Sequence, residues 1–391
     1  MSHWDGKFLE NDKKKELIAS STTNKNHQYQ NDEKSSTPKH KSYKSNVYTL
    51  ANVINNQNNA RKFQLNILPS IVNKTIKKKE EIKLERDMEE KNIMNQVDEK
   101  GYIYSIGRGA TSIVYVWKNK KTYYAVKVLN YNKESKEAAK RAERTEEEIR
   151  ILKKLKDCEY ICKLHAVKRK KFTFELIFEY MHGGNLTQCY QKRCNGKMPE
   201  KLLKEVAYNI LRALIYLHEG SHKILHRDIK PDNILINKWG VAKLADFGIS
   251  KTLNPKEDST QTHVGTEIYL APERIGSIKP YKIESDIWSL GVALLEAAIG
   301  RFPFCKKGEH RNITSFVLQD NYSKGYREFL ETEDDLSKEF MEFLDKCLHT
   351  NPQKRLIARY LIDMDWVGTG NEEMWVWMQE QRDAARKYLK K

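Results

Sequence analysis

Residues His226-Arg227-Asp228-Ile229-Lys230-Pro231-Asp232-Asn233 put carboxylates, an amide and a lysine into one short run, and Asp246-Phe247-Gly248 adds another carboxylate a little further on. That set suits phosphoryl transfer. The transition state spreads negative charge over several oxygens, so catalysis needs a proton acceptor, ligands for a divalent cation and a positive group on the migrating phosphate. Asp228 is the candidate acceptor of the incoming hydroxyl's proton, Asn233 and Asp246 would hold Mg²⁺, and Lys230 would sit on the transferred phosphate. A lone one of these triplets would be weak evidence. Here both occur in order, between apolar runs (KILHRD, NILI, AKLADFG) that read as strands flanking a catalytic loop.

Other elements must bring a nucleotide to that loop. Gly107, Arg108, Gly109, Ala110, Thr111 and Ser112 lie between the strand-like YIYSI, which ends in Ile106, and VYVW, which begins with Val114, so the run reads as a glycine-rich hairpin over nucleotide phosphates, with Ser112 in place of a third glycine. Glycines in a hairpin also mark a simple turn. Lys127 ends the alternating strand YAVKVL and suits the α- and β-phosphates, while Ala125 leaves room for adenine.

A stretch from about 134 to 155, rich in Ala, Glu, Lys and Arg and free of Gly and Pro, is expected to be helical. Ile151, Leu152 and Leu155 follow Glu148 at helical spacing, so Glu148 shares the buried stripe and is the predicted partner of Lys127. The alternative is that Glu146, Glu147 and Glu148 are all solvated. Phe178, Glu179, Tyr180 and Met181 follow the apolar strand FTFELIF and precede His182-Gly183-Gly184-Asn185. Backbone groups near Glu179 and Met181 would bond the adenine edge, Phe178 would back the pocket and Asn185 could reach the ribose; a purely structural junction explains the same glycines.

With these motifs in order, residues 100–367 resemble a eukaryotic protein kinase domain. The resemblance implies an α+β, bilobal fold, with a small antiparallel-sheet lobe (99–180) carrying one regulatory helix and a larger, mainly helical lobe (183–367). It implies ATP and Mg²⁺ as cofactors, and support from Ala271-Pro272-Glu273, the SDIWSLG segment and Arg355, with Glu273 and Arg355 paired. YMHGGNL, VGTEIYLAPERI and SDIWSLGVALLEAAIGRFPF are similar to the MAP kinase kinases, a dual-specificity, STE-type group. That family commonly has a serine where Asp232 stands. Its activation segment usually shows two hydroxyl residues; here Thr262 fills the second place and Asp258 the first, with Ser259 and Thr260 beside it. Arg227, next to Asp228, gives a phosphate among Ser259, Thr260 and Thr262 a charge to bind. By resemblance, Thr266 would bond Asp228 and Lys230. A serine/threonine kinase of another group keeps the same chemistry, and a pseudokinase scaffold would need one of Lys127, Asp228, Asn233 or Asp246 to be missing; all four are present.

Residues 1–98 are rich in Asn, Lys, Ser and Gln, and burial cannot offset the entropy of ordering them. Within this tail Arg61 and Lys62 precede Leu65 and Ile67, a pattern that resembles the docking peptide by which MAP kinase kinases hold a MAP kinase and that also arises by chance in lysine-rich tails. Residues 76–98 alternate charge at helical spacing and are expected to form a solvated helix, the alternative being one that packs on the small lobe. Beyond 368, Met374, Trp377, Met378, Ala385 and Tyr388 share a helical face that either covers the large lobe or docks an upstream kinase.

The 391 residues suffice for one two-lobed domain and a tail. The net charge of +17 comes from basic residues scattered among many acids, with no recognition module for nucleic acid, so an acidic protein partner fits better, and the resemblance implies a MAP kinase in that place. The six cysteines show no C-x-x-C pair, which argues against a zinc site or a disulfide scaffold. No secretory leader or membrane-spanning run is present, so a cytoplasmic protein is expected, with the lysine tracts at 13–15 and 77–79 leaving nuclear entry open.

Overall fold

The computed structural model describes residues 88, 90, 91, 93, 97 and most of 101–388, leaving out 110–111, 132–135, 220–222, 249–250, 253–266, 276–280, 308–314, 333 and 369–372. Two units are distinguished, Met1–Lys91 and Asn92–Lys391. In the first, Met88, Glu90 and Lys91 are helical, with Met88 and Lys91 exposed.

The second unit begins with a five-stranded antiparallel sheet in the order β1-β2-β3-β5-β4. Its strands are β1 (Tyr102–Arg108), β2 (Ser112–Asn119), β3 (Thr122–Asn130), β4 (Leu164–Lys170) and β5 (Thr173–Glu179). Period-two alternation gives each face its own set of side chains. Tyr124 and Val126 of β3 join Trp117, Ala166 and Ile177 on the outer face, and Leu129 joins Val167 and Leu176 against helix α1 (Lys136–Lys154). Ala125 and Lys127 alternate with the outer set and so point to the α1 side.

The outer face is covered by Ile93 and Val97, 3% and 1% exposed. Lys168 Nζ donates to Val97 O at 2.8 Å. The end of the charged 76–98 segment is therefore packed and not solvated. Its few apolar residues meet a ready-made patch of Trp117, Tyr124 and Val126, and burying two aliphatic side chains there outweighs the charges around them.

The larger lobe is built on α2 (Glu200–Glu219) and α3 (Ile283–Ile299), with α4 (Ser315–Lys324), α5 (Lys338–Cys347) and α6 (Glu373–Tyr388) around them. Every residue of α3 from Ser285 to Ile299 is buried, making it the axis of the core. A Cβ on Gly291 would lie 2.8 Å from Cys347 Cβ, so the glycine lets α5 approach α3. The helix stops at Gly300, whose φ of 78° lies in the left-handed region and whose N–H bonds Glu296 O at 2.7 Å. Met374 and Met378 of α6 are buried in this core, and Glu205 Oε1 accepts the Met374 N–H at 3.0 Å, neutralising the helix start. Four short strands, β6 (Gly184–Asn185), β7 (Ile224–Leu225), β8 (Ile234–Ile236) and β9 (Ala242–Leu244), line the seam between the lobes. Cys162 N to Leu244 O at 2.8 Å and Leu244 N to Tyr160 O at 3.0 Å stitch that seam.

Candidate active site

Lys127 reaches both lobes. Its Nζ lies 3.3 Å from Glu148 Oε1 on α1 and 2.9 Å from Asp246 Oδ1 just after β9. Glu148 is 3% exposed, so the bland reading of a solvated acidic run fails for it, whereas Glu146 binds Arg169 of β4 at the surface, at 2.8 and 2.9 Å. Burial opposes the charge on Lys127, but Glu148 and Asp246 outweigh it and hold the ammonium above its ordinary pKa. Burial lifts the Glu148 carboxyl against the pull of Lys127. Burial also acts to raise Asp246, yet Lys127 prevails and keeps that carboxylate below its ordinary value.

The catalytic loop follows β7. Lys230 Nζ contacts Asp228 Oδ1 and Oδ2 at 2.9 and 2.8 Å, and Asn233 Nδ2 donates to Asp228 O and Oδ2, both at 2.8 Å. These donors turn the Asn233 carbonyl oxygen away from Asp228. Ala245 N bonds Asn233 O at 2.9 Å, bringing the segment that carries Asp246, just beyond β9, alongside. An amide oxygen and a carboxylate are hard donors, the kind a small divalent cation takes. Asn233 and Asp246 thus fit the metal role assigned to them.

Two residues hold this loop that the motifs did not single out. Asp286, fully buried on α3, accepts His226 N at 3.0 Å, Arg227 N at 2.9 Å, His218 Nε2 at 2.9 Å and the Tyr281 hydroxyl at 3.3 Å. Burial alone would raise its pKa, but His218 and the other donors keep it low. Arg227 has φ 70° and Asp246 φ 64°, left-handed conformations that cost on the order of 1–3 kcal/mol in non-glycine residues and persist only where neighbours impose them. Asp286 supplies that constraint for Arg227. His226 is buried, which lowers its pKa and keeps the ring neutral. Its Nδ1 accepts Asp228 N at 3.3 Å, so Nε2 carries the proton toward Ala245 O at 3.1 Å. The ring also meets Phe247 edge-on at 4.7 Å, coupling the two catalytic segments.

At the nucleotide end, Gly107 stands opposite Val114, and Gly109 N bonds Ser112 O at 2.8 Å across the hairpin turn; Ala110 and Thr111 lie outside the described residues. Arg108 and Ile106 are exposed on the roof. Ala125 pairs with Phe178, placing both in one row across the sheet. Glu179 turns its carboxylate to Lys163 N at 2.7 Å and Lys243 Nζ at 2.8 Å, which leaves only its backbone for a base, and Met181 is buried beside it. Asn185 is engaged at both ends of its amide: Oδ1 accepts Gln188 N at 2.8 Å, capping a helical turn, and Nδ2 donates to Asp232 Oδ1 at 3.1 Å. Asp232 is exposed there, an acceptor at the cleft edge that Asn185 positions. Glu273 and Arg355 pair at 2.7 and 2.8 Å. Ser259, Thr260, Thr262 and Thr266, and the tail residues Arg61, Lys62, Leu65 and Ile67, lie outside the described residues.

Comparison with known proteins agrees with this geometry. A family model described as the protein kinase domain matches residues 101–367. Mitogen-activated protein kinase kinase 1 of Arabidopsis thaliana is 34% identical over 278 residues, 67% of this chain and 72% of the relative. Mitogen-activated protein kinase kinase 1c of Physcomitrium patens is 32% identical over 68% of this chain and 76% of its own length. The MAP kinase kinase MKK1/SSP32 of Saccharomyces cerevisiae is 33% identical over 70% of this chain, which spans 56% of that longer protein.

Proposed function

Since this chain belongs to the protein kinases and, among them, to the MAP kinase kinases, we propose that it transfers the γ-phosphate of ATP to threonine and tyrosine in the activation segment of a MAP kinase. The observation that carries this reading is the meeting of Lys127, Asp246, Asn233, Asp228 and Lys230 in one cleft. In the reaction, Lys127 orients the α- and β-phosphates, and Asp228 aligns the acceptor hydroxyl and takes its proton. Lys230 answers the charge on the migrating phosphoryl group. Asn233 and Asp246 would hold Mg²⁺, which would supply charge neutralisation on the phosphates.

An upstream kinase would switch the enzyme on by phosphorylating Ser259, Thr260 or Thr262, and Leu65 and Ile67, with Arg61 and Lys62, would dock the MAP kinase. The protein would act in the cytoplasm. The test is radiolabelled transfer to a panel of MAP kinases, with the modified residues mapped and Asp228→Asn as the blank. Labelling of both threonine and tyrosine in an activation segment is expected, and Leu65→Ala with Ile67→Ala should reduce it while sparing a generic peptide. Efficient transfer to a generic serine/threonine substrate, with no MAP kinase labelled, would move the chain to another kinase group.

A further inference from the structure

Directly opposed residues of an antiparallel pair share a face of the sheet. In the pairing of β1 with β2, Tyr102 stands opposite Trp117 on the outer face, so an uninterrupted ladder would set Tyr104 opposite Tyr115 on that face too. A register shift between Tyr102 and Tyr104 sets Tyr104 opposite Val116 instead. Val116 is opposite Ala125, and Ala125 is opposite Phe178. The bulge thus re-aims Tyr104 onto the cleft face, in the row that ends at the adenine pocket.

There Tyr104 and Tyr180 come close enough for each phenol to perturb the other. Tyr180 lies between Glu179 and Met181, and its ring is braced by Tyr123, with centroids 6.1 Å apart, and by His182 at 4.7 Å. His182 Nδ1 sits 3.1 Å from the Tyr180 carbonyl, fixing the backbone that bears the ring. Burial, together with the neighbouring Tyr104, raises the Tyr180 phenol well above its ordinary value, so it keeps a proton to donate at any physiological pH.

We propose that Tyr104 and Tyr180 form a clasp over the mouth of the nucleotide cleft, tying the first strand of the roof to the segment behind adenine and slowing nucleotide release. The proposal rests on the nucleotide reading above, in which Glu179 and Met181 border the base. For ADP to leave, roof and back wall must part, and the clasp adds one bond that has to break first. A net hydrogen bond of this kind corresponds to roughly a three- to ten-fold change in rate.

The experiment is stopped-flow displacement of a fluorescent ADP analogue, with Mg²⁺, from the full chain. Tyr104→Phe and Tyr180→Phe each keep the ring and should release the analogue about three to ten times faster than wild type. The double variant should release it no faster than either single one, because both remove the same bond. Tyr123→Phe should behave as wild type, and all variants should keep the wild-type melting temperature within a few degrees. Unchanged release in either single variant, or effects that multiply in the double variant, would overturn the clasp while leaving the nucleotide site intact. Failure of wild type itself to bind the analogue would overturn the nucleotide reading and the clasp together.

Discussion

Lys230 straddles the carboxylate of Asp228, its Nζ 2.9 and 2.8 Å from the two oxygens. The proposed base and the proposed phosphate-binding cation are therefore already in register before substrate arrives. Asp228→Asn keeps the size of the side chain and removes its ability to take a proton, so turnover should fall about 10²- to 10⁴-fold. Nucleotide affinity should hardly change, because Lys127 and Asp246 are untouched. Single-turnover kinetics beside nucleotide titration separates the two, and retained turnover would rule out Asp228 as the base.

Asp286 should matter to stability far more than its distance from the chemistry suggests. Asp286→Ala strips acceptors from two backbone N–H groups, of His226 and Arg227, and from the buried His218, and should cost about 3–5 kcal/mol. The exposed pair Arg327–Asp345 is the contrast: Arg327→Ala should cost no more than about 1 kcal/mol. Urea unfolding of both variants gives the comparison, and similar losses would refute the ranking.

His165 predicts a pH dependence. Burial, with Lys163 and Lys243 nearby, lowers its pKa from 6.5 to about 4. Between those values the unfolded chain binds a proton that the folded chain does not, so stability rises with pH there and is lost as pH falls from 6.5 toward 4. The loss from this residue is about 3 kcal/mol at most. Melting temperatures across that range should fall less steeply in His165→Gln, and parallel slopes would remove His165 from the account.

Gly291→Ala tests the approach of α3 and α5. The added methyl would meet Cys347 and Leu348 side chains at 2.8 and 2.9 Å, so overpacking should cost roughly 1–3 kcal/mol despite the better helix propensity of alanine. A stabilised protein in denaturant titration would contradict that expectation.

The catalytic loop was legible because its chemistry sits in consecutive residues, and Glu148 because its place on an apolar stripe follows from helix geometry alone. Asp286 was legible only as part of a supporting segment. Its partner His226 lies 60 positions away, and no local pattern says that one carboxylate will receive two loop amides. Ile93 and Val97 were hidden for a related reason. A charged helix with few apolar residues reads as solvated unless one knows that an aromatic patch on another element faces it. The two ends of the Asn185 amide likewise became assignable only when Gln188 and Asp232 were seen beside it.

The last helix changes what counts as the smallest self-sufficient piece of this polypeptide. The span shared with other kinases ends at 367, yet Met374 and Met378 fill the interior beyond it and Glu205 takes the first amide of that helix. A truncation placed at the end of the shared span would open the flank of α2 to water and uncover a sticky apolar surface, so the aggregation resistance of the catalytic body depends on residues that lie outside its catalytic pedigree.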